Sequence, residues 1–440
     1  MVTRKNGNNT SYIWQVKNLK AIEYEQLSPP FTDFQPAVLL APNEFIYEGY
    51  QGNLNDWNSI GKWIYGLVEG RDKLPETTIA EIKEHVTGIS DKKEIVKKVY
   101  EYMQSRTRYV SIQLGIGGLR PMLASDVDKY GYGDCKALSN YTKALLNAVG
   151  VESIYTEIAN GPGKIIYPQF ASMNQTNHVI LCVPLEKDTM WLECTNQISP
   201  CGYIGMGNSN RYALLITKQG GKLVKTPEFN KNVNTQRSEI TITLDDNGNA
   251  SFCSSINFRG TNYDQVVAYT IMSEKERRDK IMKELSLKNF ALNKLSIENE
   301  KQSIPNLKLS LELVAQKYGS VSGNRMFVEL NPYNKWEMKT EQKDKRENDI
   351  YIPVEFEETD TVKFKLPPSY EIEFLPPAQE FKSEFGHYTM NIVKDNNQIV
   401  YIRTLSINQG KFNKDQYAGL SKFFESISLA DNSKMLLKKI

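Results

Sequence analysis

Residues 131–151 read GYGDCKALSNYTKALLNAVGV, followed downstream by NHVILCV at 177–183 and WLECT at 191–195. Leu138, Tyr141, Leu145 and Val149 recur at helical spacing after Cys135, and Gly150 closes the pattern as a C-terminal cap. Gly133-Asp134-Cys135 therefore opens a helix, with Asp134 as N-cap and Cys135 in the first turn. A helix N-terminus presents unpaired N–H groups and a partial positive charge, which favours thiolate over thiol. The Asp134 carboxylate works slightly against that, so an imidazolium partner is needed to settle it. Glycines at 131 and 133 let the backbone turn sharply and approach a substrate closely.

His178 heads the predicted strand HVILCV, and Glu193 lies in the predicted strand MWLECT. The turn Pro184 to Thr189 joins the two as an antiparallel hairpin. Pairing Val179–Val183 with Met190–Cys194 sets Glu193 opposite Ile180, so His178 lies diagonal to Glu193 on the same face. A one-residue slip would put them on opposite faces. In the first register the carboxylate orients the imidazole and the imidazole activates Cys135, the nucleophile, base and orienter of cysteine acyl transfer. An oxyanion needs donors about 3 Å away. The Cys135 N–H is one candidate, and Gln113 or Tyr109 upstream is the other. Trp191 reads as a core aromatic, while Tyr167 and Phe170, in the loop 159–177, line the cleft or anchor the loop.

On these residues the chain resembles the transglutaminase-like branch of the papain-like cysteine enzymes, over about residues 55–225. There a Gly-Asp-Cys opens a helix, a His starts a strand, and an acidic residue follows in the next strand, usually in an Asp-Pro-Thr context. The resemblance implies a papain-like α+β core in which Cys135 is the nucleophile, His178 the base and Glu193 the third member. Glu193-Cys194-Thr195 departs from Asp-Pro-Thr, although the longer carboxylate can still accept an imidazole hydrogen bond. The implied activity is cysteine-dependent hydrolysis or acyl transfer on an amide of a peptide or protein, with no metal or organic cofactor. The competing reading is a non-catalytic envelope or assembly scaffold whose β-rich parts bind a partner protein.

The rest of the chain resembles bacterial multi-domain proteins with β-rich domains of unknown function on both sides of such a core. This gives four expected units: 1–53, the end of a leading β-rich domain; 54–227, the core; 228–345, β-rich with an inserted helix; and 346–440, β-rich with a terminal helix. The first unit has only two strand-like stretches, around Tyr12–Val16 and Ala37–Tyr47, too few to bury a core alone. Its leading strands, and any signal peptide, are expected to lie outside this sequence. The resemblance further implies a periplasmic or other extracytoplasmic location.

Composition bounds these readings. With 440 residues, 40% hydrophobic and 24% charged, the chain is globular and large enough for two to four domains. Its net charge of +2 offers no field for nucleic acid, and no apolar run is long enough to span a membrane. No phosphate-binding loop occurs, and Gly161-Pro162-Gly163-Lys164 reads as a turn. The five cysteines have no zinc-like spacing. Cys182, Cys194, Cys201 and Cys253 read as small hydrophobes or, in an exported protein, as partial disulfides. His85 and His387 read as solvated, and the charge run Lys339–Asp349 as a solvated linker.

Overall fold

The computed structural model describes residues 1–163, 165–340, 346–395 and 398–440 and is a mixed α+β structure. Two short hairpins open it, β1 (Val2–Asn6) with β2 (Asn9–Ile13) and β3 (Glu44–Tyr47) with β4 (Tyr50–Asn53). The second strand expected in this segment is thus shorter than predicted, because residues 37–43 form no ladder. Helices α1 (Trp57–Val68), α2 (Glu76–His85), α3 (Lys92–Arg106) and α4 (Ala124–Tyr130) follow, then α5 (Cys135–Ala148). The α1 stripe buries Ile60, Ile64 and Leu67, and Phe45 of β3 meets Trp63 edge to face. Asp91 caps α3 by accepting the Lys93 N–H, and Glu94 faces Lys97. The sequence pattern did not reveal α4, which is only seven residues long.

Helix α5 is the hub. Every residue from Cys135 to Thr142 is buried. Leu138, Tyr141 and Leu145 pack with Val99, Tyr100 and Met103 of α3 and with Leu181, Val183 and Leu192 of the neighbouring sheet. Full burial of each such leucine contributes about 1.5–3 kcal/mol. That sheet is antiparallel, in the order β11-β10-β7-β8-β9, from β7 (Ile154–Ile158), β8 (His178–Pro184), β9 (Thr189–Leu192), β10 (Tyr212–Thr217) and β11 (Gly220–Lys225). A small parallel pair, β5 (Arg108–Tyr109) with β6 (Tyr132–Gly133), leads into α5, and a short helix α6 (Gly205–Asn208) lies between β9 and β10.

Beyond residue 230 the hairpin β12 (Thr235–Leu244)–β13 (Ala250–Arg259) turns at Asp245–Asn249, with Gly248 at φ +79°. Helices α7 (Thr261–Val266) and α8 (Glu274–Glu284) follow, the latter opened by the Ser273–Glu276 capping box. Next come β14 (Phe290–Glu300), β15 (Asn306–Ala315), β16 (Ser320–Ser322), β17 (Arg325–Glu329) and β18 (Ile350–Ile352). The chain ends with β19 (Phe356–Lys365), β20 (Tyr370–Phe374), β21 (Gln379–Ser383), β22 (Gly386–Asp395), β23 (Gln398–Ile407), β24 (Gly410–Phe412), α9 (Tyr417–Asp431) and β25 (Lys434–Lys439).

Strands from both expected C-terminal units, 228–345 and 346–440, hydrogen-bond into one eight-stranded sheet in the order β14-β15-β13-β12-β19-β23-β22-β21. The join is the parallel pair β12–β19, from Thr235 opposite Glu357 to Thr243 opposite Lys365. One core runs beneath it, from Ile240 and Phe252 through Phe364 and Tyr401 to Leu420 and Phe424 of α9. The boundary expected at 345 therefore falls inside a single sheet and a single core.

The run 339–349 is not solvated throughout. Its residues 341–345 lie outside the described residues, but Arg346 is buried, donates to the Gln26 carbonyl at 2.7 Å and lies over the Tyr417 ring. Glu25 is buried too, and its carboxylate accepts from the Glu347 and Asn348 N–H groups. The segment around 25–28 is thereby latched to the C-terminal region. The five cysteines are all free thiols. His85 is exposed, whereas His387 is half-buried and faces Glu380 at 3.0 Å.

Arg403, wholly buried on β23, holds the C-terminal sheet to α9. Its guanidinium donates to Asp431 at 2.8 and 3.2 Å, to Asp360 at 3.0 Å and to Glu358 at 3.0 Å. The Tyr388 hydroxyl and the Trp336 N–H complete Asp431. Removing the cation strands the buried carboxylates of Asp360 and Asp431. Arg403→Met is therefore expected to destabilise the C-terminal region by about 3–5 kcal/mol. Lys382→Ala, which breaks an exposed pair with Glu380, should cost no more than about 1 kcal/mol. Denaturant unfolding curves of the two variants check the contrast.

Candidate active site

The chain before Cys135 is shaped by two glycines. Gly131 closes α4 at φ +68°, with the Arg106 carbonyl 2.9 Å from where a β-carbon would stand. At Gly133 a β-carbon would lie 2.6 Å from that of Ala137, so a side chain there would collide with the first turn of α5. Asp134 then caps the helix, its side chain accepting the Ala137 N–H at 3.0 Å. Cys135 thus occupies the first helical position, 7% exposed.

Helix α5 is fixed to the strand that carries the histidine, because the Ser139 hydroxyl donates to the Val179 carbonyl at 3.2 Å. His178 is the first residue of β8 and pairs with Ile158 of β7. Across β8 and β9, Leu181 stands opposite Leu192 and Cys182 opposite Trp191. Continued by one residue, this register sets Ile180 opposite Glu193 and leaves His178 diagonal to it. The His178 Nε2 lies 2.7 Å from Glu193 Oε2. Cys135 lies near the same ring and favours its charged form.

The Glu193 carboxylate is buried and fully partnered. Its Oε1 accepts from the Thr195 N–H at 2.9 Å and from the Thr195 hydroxyl at 2.5 Å, while Oε2 also accepts from Asn208 Nδ2 at 2.8 Å. The Tyr100 hydroxyl holds the Glu193 main chain through its carbonyl at 2.6 Å. Asn208 is itself fixed, because it also donates to the Ile204 carbonyl and accepts from Asn160. Neither Asn208 nor Tyr100 stands out in the sequence. Each reaches the site from a different element, and no spacing relative to Glu193 marks it. Thr195 had a signal, being the position of the threonine in the Asp-Pro-Thr pattern.

Burial works against a charge on His178, but the Glu193 carboxylate, its hydrogen bond and the neighbouring Cys135 outweigh it and lift the ring to about 10. Burial likewise pushes the Glu193 carboxyl up, and His178 with the Thr195 donors more than offsets this, holding it below its ordinary value. The pair is therefore ionic at neutral pH. Elsewhere, burial raises the Cys182 thiol to about 11 and the Cys194 thiol to about 12, as befits inert structural cysteines.

The two oxyanion candidates sit differently. Tyr109 stands opposite Gly133 in the β5–β6 pair, and the adjacent Val110 N–H donates to the Gly133 carbonyl, so this strand runs beside the approach to Cys135. The Tyr109 side chain is exposed. Gln113 is exposed on the loop that leads to a single 3-10 turn at Gly115–Gly118. Trp191 is buried in the core. The loop 159–177 is anchored by the bond from Trp57 Nε1 to the Pro168 carbonyl and by Gln175, which accepts the Tyr167 N–H. No cluster able to hold a metal ion occurs among the described residues.

Comparison with known proteins adds three findings. A domain of unknown function with solved structure, DUF3858, matches residues 324–437, which lie in the C-terminal region and do not include Cys135. A crystal structure from Parabacteroides distasonis, provisionally described as a protease, superposes with a TM-score of 0.51 at 13% identity. The superposition covers 86% of this chain and 58% of that one, so this chain spans little more than half the length of that protein. No curated protein matches the chain.

The raised His178 links charge to stability. The folded ring holds its proton more tightly than the unfolded ring, so this contribution is full below about 6.5 and fades as pH rises through about 10. The contribution of Glu193 has the opposite sense, present above about 4.5 and lost as pH falls. An NMR titration of His178 is expected to show a midpoint far above 6.5. In Glu193→Gln that midpoint should fall sharply, and stability should change less between neutral and alkaline pH.

Proposed function

We propose that this protein is a cysteine-dependent amide hydrolase or acyl transferase acting on peptide or protein substrates, built on a papain-like, transglutaminase-like core. The observation that carries the reading is the grouping Cys135–His178–Glu193, with Cys135 near a ring whose Nε2 is 2.7 Å from a buried carboxylate. A protease-described neighbour of the same fold supports the substrate class.

In this reading the Cys135 proton resides on His178, and the resulting imidazolium is held between the thiolate and Glu193. The sulfur attacks the substrate carbonyl carbon, and the C=O electron pair moves to oxygen as the S–C bond forms. The oxyanion is met by N–H groups at the start of α5, where the helix dipole adds to their effect, with Tyr109 or Gln113 as the further donor. Collapse of the intermediate breaks the C–N bond, and His178 gives its proton to the departing amine. Water, or an acceptor amine, then attacks the thioester, losing a proton to His178 and releasing Cys135. Glu193 acts through His178: it fixes the ring orientation and stabilises its charge. Glu193 in place of aspartate suits this chain because Thr195 and Asn208 hold the longer carboxylate in one orientation.

Screening with a fluorogenic peptide library is expected to reveal cleavage that Cys135→Ala abolishes. His178→Ala should lower turnover by about a hundredfold to ten-thousandfold. A peptidyl electrophile should acylate or alkylate Cys135 in the parent protein, located by mass spectrometry of its peptides. Cleavage that persists in Cys135→Ala would overturn the assignment of the nucleophile.

A further inference from the structure

Directly after the nucleophile position the chain buries a lysine. Lys136 is 6% exposed, and its ammonium pairs with the Asp134 carboxylate, itself 3% exposed. A second buried carboxylate, Glu157 of β7, lies within the field of the same ammonium. Glu157 accepts the Thr176 hydroxyl at 2.8 Å, and Thr176 is two residues before His178. Glu157 also precedes Ile158, the residue that pairs with His178 across β7 and β8. One charge cluster therefore touches both segments that deliver the dyad: the turn into α5 and the start of β8.

Stability alone does not favour this arrangement. Lysine is rarely buried unless paired, and desolvating the ammonium costs several kcal/mol. The position is also the second of a helix, where the dipole disfavours a cation. The placement makes sense against its neighbour. Asp134 is a strong cap, but its carboxylate is one residue from Cys135 and opposes a negative charge on the sulfur. A cation paired with that carboxylate cancels the opposition and leaves the cap in place.

We propose that Lys136 is a positioning residue of this site: its ammonium neutralises Asp134 beside Cys135 and, through Glu157 and Thr176, braces the start of the strand bearing His178. The proposal rests on the reading of Cys135 as the nucleophile. Lys136 touches no reacting atom; it acts through Asp134 and Glu157.

The test is a double-mutant cycle on the full chain, read as the rate of Cys135 alkylation by iodoacetamide at neutral pH, resolved by site with mass spectrometry. Asp134→Asn keeps a capping side chain and removes the charge. Lys136→Met is expected to slow Cys135 by roughly tenfold or more in the parent background, and by much less in Asp134→Asn. The NMR midpoint of His178 should shift in Lys136→Met and shift less in the double variant. If Lys136→Met does not fold by circular dichroism, Lys136→Gln, which keeps a donor to Asp134 without charge, takes its place in the cycle. An unchanged rate in the single variant, or an equal loss in both backgrounds, overturns the proposal. A parent Cys135 that reacts no faster than in His178→Ala would instead overturn the nucleophile reading on which it rests.

Discussion

An imidazolium and a carboxylate held 2.7 Å apart below the surface, His178 and Glu193, impose the strictest condition on this molecule. Desolvating two charges is offset only when their remaining donors and acceptors are satisfied. Each satisfying group here comes from a separate place in the chain. Thr195 supplies two donors from the turn after β9, Asn208 one from α6, and Tyr100 of α3 fixes the Glu193 carbonyl. The five-stranded sheet, α3, α5 and α6 therefore have to be in register together for the pair to exist, and Cys135 meets the result. The order of the core follows from that requirement as much as from apolar burial.

Much of the site's geometry was legible because it is local. A Gly-Asp-Cys opening an apolar helical pattern admits few conformations: a side chain at 133 would strike Ala137, and Asp134 is a ready cap. The hairpin from His178 to Glu193 has a short turn, and with a period of two its register decides which side chains share a face. The rest was hidden by distance. Asn208 and Lys136 carry no periodic signature, and their meaning depends on which buried charge they face. The join of β12 to β19 is parallel, with more than a hundred residues of chain between the partners, so composition alone suggested a boundary where the sheet is continuous. Arg346 shows the same limit, since a charge run reads as solvated until Glu25 and the ring of Tyr417 are brought to it.

The C-terminal half follows a second version of the same physics. Arg403 is buried among three carboxylates, and burial pushes Asp360 and Glu358 up while the guanidinium pulls them down. That cluster binds β19, β23 and the end of α9, within the region matched by the domain of unknown function. Its interactions hold a sheet to a helix, whereas those of His178 and Glu193 hold an imidazole near a thiol. The difference lies in what the last partner is: a carboxylate in one case, a thiol in the other.

Cys135 and Cys253 give the sharpest measurement, because accessibility and activation rank them in opposite orders. Cys135 is buried, whereas Cys253 is exposed on β13. The native protein is treated with limiting iodoacetamide at neutral pH, and the extent of modification at each cysteine is followed by mass spectrometry of its peptides. An activated nucleophile in the His178–Glu193 line is expected to be alkylated at Cys135 before Cys253. Modification of Cys253 first, with Cys135 reacting only as the protein unfolds, would contradict the account.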